Sequence, residues 1–281
     1  PRYAGAVADV VVGPSPAWVQ ARLQAAGVRP ISNIVDVTNY VLLEMGQPMH
    51  AFDFTTLRGA QIRVRTARAG ESIRTLDGQA RELSNDMLVI ADAERPVAIA
   101  GVMGGAESEV TDGTKGIVLE SAYFTPLSVR RTSRRLSLKT EASMRFERGL
   151  DPRLPVLAME RACALLEAIG AGRPRGTVVD RYPSRIEPTT LRLRRAKITG
   201  LLGTAVPDAD VKRIVEGLGF TLRDTTDAAA PLESGWDVTV PTRRIDVTRE
   251  VDLIEEVARH YGFDKLPSTV PALAAAPPPL D

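Results

Sequence analysis

Four carboxylates, Asp246, Asp252, Glu255 and Glu256, crowd into the segment PTRRIDVTREVDLIEEVARHYGF. A helix starting near Val247, with Thr248 in its first turn, puts Asp252, Glu255 and Glu256 at i, i+3 and i+4 on one face, with Asp246 where the helix begins. Such a face repels itself unless a cation joins it. An all-oxygen donor set suits a hard ion such as Mg²⁺, which keeps several waters and takes one or two carboxylates from the protein. No His or Cys stands nearby in a zinc-like spacing. The competing account is an acidic helix start that only complements the macrodipole.

The 281 residues predict one to three domains, and 44% hydrophobic with 25% charged residues is ordinary soluble globular composition. Nothing is long and apolar enough to span a membrane. The opening PRYAGAVADVVVG has neither an initiator Met nor a signal-peptide pattern, and the end PALAAAPPPLD is a Pro/Ala tail without a packing pattern. The expectation is a piece of a longer polypeptide. Cys163, alone on the apolar helix LPVLAMERACALLEAIG, excludes disulfides and cysteine metal sites, fits a reducing compartment and reads as a small hydrophobe.

A net charge of +1 argues against a wholly basic nucleic-acid binder. The charge is uneven, however. From Arg130 to Arg148 six Arg and one Lys face two Glu, a local balance of +5. Arg130, Arg131, Arg134 and Arg135 recur at helical spacing and could offer phosphates a basic face; the alternative is a solvated face with local ion pairs.

ADVVVG is strand-like, and PSPAWVQARLQAAG is a helix with Pro near its start and Gly at its end. In SNIVDVTNYVLLEMGQPMH, Ser32 or Asn33 caps a helix, Ile34, Val37, Val41 and Met45 form one stripe, and Gly46 and Pro48 stop it. Thr38 and Asn39 sit one step round from that stripe, and His50 follows in the turn. Short strands come next, AQIRVRTA, ESIRTLDG with its Asp-Gly turn, DMLVIADAE, RPVAIAGVMGG and KGIVLESAYF. Gly101, Gly104 and Gly105 could let backbone N–H groups approach a ligand, although a sharp loop explains them better. Residues 172–188 mix Pro, Gly and charge and mark a boundary. Beyond it come a strand entering a helix, a second helix, a strand, and the acidic helix. The class is α+β in two domains.

RPISNIVDVTNYVLLEMGQPMHAFD, AIAGVMGGAESEV, VLESAYF, SLKTEASMRFERGLDP and PTRRIDVTREVDLIEEVARHYGF closely resemble, in order, segments of the bacterial phenylalanyl-tRNA synthetase β subunit family. The resemblance implies a mixed-sheet B3/B4 tRNA-editing domain over 1–183. It also implies a small α+β B5 domain over 186–270, similar to winged-helix-like nucleic-acid-binding folds, with 271–281 left as a Pro/Ala-rich truncated linker.

The same resemblance implies a cytoplasmic protein that works with an α subunit in an α2β2 enzyme and with tRNA(Phe). The holoenzyme uses ATP, which this stretch does not bind, and this stretch does not aminoacylate alone. Its implied reaction is hydrolysis of tyrosine wrongly attached to tRNA(Phe). Matched position by position, the editing pocket uses Arg29, Thr38, Asn39, His50, Gly104, Glu120, Thr140 and Ala142, and Asp246, Asp252, Glu255 and Glu256 hold a Mg²⁺ shared with the α subunit.

Tyr differs from Phe by one hydroxyl, which a pocket built for Phe rejects poorly. If Glu120 accepts a hydrogen bond from the phenol and the Gly104 or Gly105 N–H donates one, a Phe ligand leaves those groups unpaired, discriminating by roughly 10⁴. His50, Thr38 and Asn39 are suited to hold ester and water, while Ala142 leaves room for the ring. A lone His in a turn is also a common structural hydrogen-bonder, and Glu120 could equally cap a turn or pair with Arg. His260 reads as a helix C-terminus residue. Two classes stay open, a hydrolytic proofreading domain and a non-catalytic module for RNA binding and subunit docking.

Overall fold

The structure, a computed structural model, describes residues 2–225 and 231–268. The chain divides into two compact units between Ile186 and Glu187.

In the first unit the elements run β1 (Arg2–Val10), α1 (Ala17–Ala25), α2 (Asn33–Met45), β2 (Met49–Asp53), β3 (Arg63–Thr66), β4 (Ser72–Arg74), β5 (Ala80–Glu82), β6 (Leu88–Ala91), β7 (Pro96–Ile99), β8 (Met103–Gly104), β9 (Gly116–Tyr123), α3 (Pro126–Arg135), α4 (Glu141–Phe146), α5 (Leu154–Ala168) and β10 (Gly172–Arg181). One sheet has the order β10-β1-β9-β2, a second the order β3-β6-β7-β8, and β4 and β5 form a hairpin.

Strand β9 is apolar on both faces, so both sides of its sheet must be covered. Ile117 and Leu119 join a core with Val19 and Leu23 of α1, Ile34, Val37 and Val41 of α2, and Met159 and Leu166 of α5. Val118 and Ala122 point the other way, to Phe52 and the β3-β6-β7-β8 sheet, with Val129 and Phe146 closing that core. Each fully buried side chain such as Leu119 or Phe52 contributes about 1.5–3 kcal/mol relative to exposure. Glu120 is the carboxylate in this run, on the second face.

Helix α2 begins and ends on the predicted signals. Ser32 is the N-cap, its hydroxyl accepting from the Val35 N–H, and Gly46 closes the helix in the left-handed region at φ 77°. Asp36 anchors the preceding loop by accepting from Ser15 Oγ at 2.6 Å and the Ile31 N–H at 2.8 Å. The Asp-Gly turn also stands, with Asp77 and Gly78 between β4 and β5.

The second unit contains β11 (Thr189–Arg194), α6 (Arg195–Leu202), α7 (Asp208–Gly217), β12 (Thr221–Thr225), β13 (Gly235–Val240) and α8 (Glu250–Tyr261). Its sheet has the order β11-β13-β12 and packs Trp236, Val238, Val211, Leu253 and Val257 into one core. The Arg195 guanidinium lies 4.1 Å from the Trp236 ring centroid.

The α+β class is as expected, with three corrections. The sheets, expected to be mixed, are antiparallel in every described pairing. Residues 172–181, within the stretch expected to mark a boundary, form the edge strand β10 paired with β1. Pro174 and the charges there are what an exposed edge tolerates. His50 lies in strand β2, not in a turn. The acidic helix starts at Glu250 rather than near Val247. The Pro/Ala tail at 271–281 lies outside the described residues. Among the described residues no helix is long and apolar enough to cross a membrane.

Candidate functional site

A cavity of about 250 Å³ opens where α2, β2, β7, β8, β9 and α4 meet. Antiparallel pairing sets its polar floor. His50 of β2 stands directly opposite Glu120 of β9, so both side chains project from the same face. Thr38 and Asn39 reach the cavity from α2, Gly104 from β8, and Thr140 and Ala142 from the start of α4. Ala98, Ile99, Met103, Leu76 and Phe146 supply apolar wall. Seven of the expected positions thus converge from segments far apart in sequence.

Glu120 is only 8% exposed. Burial pushes its carboxyl up to about 7, opposed by a hydrogen bond donated by the Tyr3 hydroxyl to Oε2 at 2.9 Å. Burial also raises the Tyr3 phenol well above its usual range, and the nearby Glu120 charge adds to this. Tyr3, on β1, is the functional neighbour missed in the sequence. Its only signal is a register in which β1 pairs with β9 across more than a hundred residues, placing Gly5 opposite Glu120.

His50 packs edge-on against Phe52, with centroids 4.5 Å apart at 74°. Burial drives its pKa down to about 4, so the ring is neutral at pH 7. Its Nε2 is buried without a partner, an orphaned polar atom of the kind that calls for a ligand or a water. Gly104 is required beside it, because a Cβ there would come within 2.4 Å of His50 Cε1 and 2.6 Å of Nε2.

Two polar residues are partly committed. Thr38 Oγ1 donates to the Val35 carbonyl at 2.7 Å. Thr140 caps α4, accepting from the Ser143 N–H at 3.0 Å, and donates to the Val102 carbonyl at 2.8 Å, which fixes α4 against the cavity.

Arg29 and Gly105 do not line this cavity. Arg29 is exposed after α1. Gly105 lines a neighbouring pocket, and its N–H is spent on the Val97 carbonyl at 2.8 Å. Gly104 therefore stands without Gly105 at the site. The basic tract is also split. Arg135 pairs with Asp86 at 2.7 Å and donates to Ser84, while Arg130, Arg131 and Arg134 are exposed on α3.

The acidic segment of the second unit has found a cation, but it is a guanidinium. Arg244 donates twice to Asp246, from Nε to Oδ1 at 2.9 Å and from a terminal nitrogen to Oδ2 at 2.6 Å, and reaches Glu256 Oε1 at 2.6 Å. Arg259 holds the other oxygen of Glu256. Asp252 faces the helix start and accepts the Thr248 and Arg249 N–H groups at 2.9 and 2.8 Å. The Arg244 hydrogen bond keeps Asp246 below the usual carboxylate range, and the Thr248 N–H does the same for Asp252. Burial works to raise Glu256, but Arg259 and Arg244 hold it low.

Glu255 points to solvent. Among the described residues no group of three or more His, Cys, Asp or Glu could hold a metal ion. In this arrangement Asp246, Asp252, Glu255 and Glu256 do not fit a divalent ion, since two are tied to arginine and one to the backbone. His260 Nε2 lies 3.6 Å from Glu256 Oε2 in the last turn of α8.

The first unit is thus an α+β domain with a buried acid and a neutral imidazole facing an apolar cavity. A family model described as the B3/4 domain matches residues 1–171, and one described as the tRNA synthetase B5 domain matches residues 191–263. The β subunit of phenylalanine–tRNA ligase from Moorella thermoacetica is 50% identical over 265 residues, 94% of this chain and 32% of that protein. That from Anaeromyxobacter dehalogenans is 47% identical over 278 residues, 99% of this chain and 34% of that protein. An N-terminal fragment of the phenylalanyl-tRNA synthetase β subunit from Pyrococcus horikoshii shares 13% identity, covering 92% of this chain and 70% of that one at a TM-score of 0.39, too distant to bear on the architecture. The chain belongs to the phenylalanyl-tRNA synthetase β-subunit family, carrying its B3/4 and B5 domains. It spans about a third of the length of the curated relatives it matches.

Proposed function

We propose that the first unit is the proofreading site of a phenylalanine–tRNA ligase, hydrolysing tyrosyl-tRNA(Phe). The observation that carries this reading is Glu120, a buried carboxyl at the floor of an apolar cavity, opposite a neutral His50 whose Nε2 lacks a partner.

The ring of the misattached amino acid lies against Ala98, Ile99 and Phe146, with Ala142 leaving it space. Glu120 accepts the phenol proton in a hydrogen bond. A Phe ring offers no donor and leaves that acceptor buried and unpaired, the asymmetry by which a polar pocket selects 10⁴–10⁵-fold, as an order of magnitude. Water is the nucleophile. It adds to the ester carbonyl, a tetrahedral oxyanion forms and collapses, and the tRNA ribose oxygen leaves with a proton. His50 and Thr38 orient the ester and the water, and the Asn39 amide donates to the oxyanion. Arg29 acts outside the pocket, on the incoming RNA.

The whole enzyme is the α2β2 assembly in the cytoplasm, where the α subunit charges tRNA(Phe) with ATP. This stretch binds no ATP itself. Mg²⁺ at Asp246, Asp252, Glu255 and Glu256 requires ligands from the α subunit and release of carboxylates from Arg244. A second reading, an RNA-binding and docking module without chemistry, is favoured by the exposed Arg130, Arg131 and Arg134.

Calorimetric binding of hydrolysis-resistant analogues of tyrosyl- and phenylalanyl-adenosine, with an amide in place of the ester, separates the two. The proofreading reading requires tighter binding of the tyrosyl compound, with the preference lost in Glu120→Ala. Equal binding of both would leave the docking module.

A further inference from the structure

We propose that Arg130, Arg134, Lys139 and Arg148 form a phosphate-binding subsite for the RNA whose acylated end enters the cavity at Glu120 and His50. The proposal rests on the proofreading reading and gives its substrate a second point of attachment.

These four cations and Glu147 line a separate cavity of about 260 Å³. Arg130 and Arg134 stand one turn apart on α3, so their side chains share a face. All four cations are exposed. Two neighbouring arginines on the same two helices are neutralised, Arg135 by Asp86 and Arg145 by Glu141. No described side chain pairs with any of the four, and Glu147 is the one carboxylate at the cavity. Like charges gathered without partners repel one another, and an anion relieves the repulsion. Guanidinium groups match phosphate in shape and hydrogen-bonding pattern, and lysine adds a point charge.

Position connects this cluster to the chemistry. Lys139 immediately precedes the α4 cap Thr140, and Glu147 and Arg148 immediately follow α4. Thr140, Ala142 and Phe146 line the other cavity. Both cavities are lined from both ends of the six-residue α4, so they flank one short element, about 10–12 Å across with its side chains. Its capping box and the Thr140 bond to Val102 hold that spacing fixed. A single-stranded end with its ester held by His50 and Thr38 would lay its first phosphates on this cluster. Arg135 points elsewhere, and Arg131 does not line the cavity.

The test is tRNA binding by the 281-residue chain over a range of KCl concentrations. Each phosphate contact on a single strand contributes about 0.7 to the log–log salt slope. R134Q/K139Q/R148Q should therefore flatten the slope by about 2. R63Q/R68Q/R173Q removes the same charge from exposed positions elsewhere on the unit and should leave the slope unchanged. Equal slopes for all three proteins, an equal fall in both variants, or no tRNA binding by the unaltered chain would each overturn the subsite. Hydrolysis of tyrosyl-tRNA, followed in parallel, reports on the proofreading reading alone, because the slope comparison is scored whether or not the ester is cleaved.

Discussion

Tyr3 donates its hydroxyl to Oε2 of Glu120 at 2.9 Å, tying the first strand of the chain to the acid at the cavity floor. The bond favours the carboxylate form against burial, which pushes Glu120 up to about 7. Tyr3→Phe removes a hydrogen bond to a charged group, of the kind worth about 1.5–3 kcal/mol. The Glu120 titration should move up by about one to two units, read from the carboxyl carbon by NMR. An unmoved midpoint would mean that Tyr3 does not set the charge of the site.

Glu120 and His50 should also oppose each other in stability. The raised pKa of Glu120 gives stability that is full below the unfolded pKa near 4.5 and lost as pH rises through about 7. The lowered pKa of His50 gives stability that is full above 6.5 and lost as pH falls toward about 4. Between pH 4.5 and 6.5 the slopes cancel, each being about 1.4 kcal/mol per pH unit. His50→Gln should make stability fall with pH in that window, and Glu120→Gln should make it rise. Denaturant melts of both variants across the window check the signs, and parallel slopes would refute the pairing.

Gly104→Ala should disable the cavity without unfolding the unit. The added methyl meets the His50 ring at 2.4 Å, and the ring is the side that must give. A stability loss of about 1–3 kcal/mol is expected from overpacking, together with loss of tyrosyl ester hydrolysis. Wild-type hydrolysis in this variant would remove His50 from the reaction.

In the second unit, Arg244→Ala should cost about 3 kcal/mol, because it strips a partner from Glu256, itself 8% exposed. Glu256 is held low, so its contribution is present above the unfolded carboxylate range and fades as pH falls. The penalty should therefore shrink in acid, as urea melts at pH 7 and pH 3 would show. A penalty that does not depend on pH would mean that Arg244 acts by packing on Phe220, whose ring centroid lies 5.3 Å away.

Local signals in the sequence were legible. Ser32 and Gly46 bound α2, and the run KGIVLESAYF gave β9, because caps and apolar runs act over a few residues. What was lost depends on distant pairing. Strand β10 was not legible because Pro and Gly give no strand pattern yet are tolerated at an edge, and only its register with β1 makes it a strand. His50 joined the sheet for the same reason, and Tyr3 could not be placed beside Glu120 without the β1–β9 register. The acidic helix failed differently. Its countercharge, Arg244, stands two residues from Asp246, but only the turn before α8 shows that its side chain reaches both Asp246 and Glu256.

The most direct measurement is hydrolysis of tyrosyl-tRNA(Phe) against phenylalanyl-tRNA(Phe) by the chain, with Glu120→Ala and His50→Ala alongside. Selective release of tyrosine, with selectivity lost in the first variant and rate lost in the second, is the predicted result. Undiminished, selective hydrolysis in both variants would contradict the assigned roles, and no release above background would contradict a self-sufficient proofreading site.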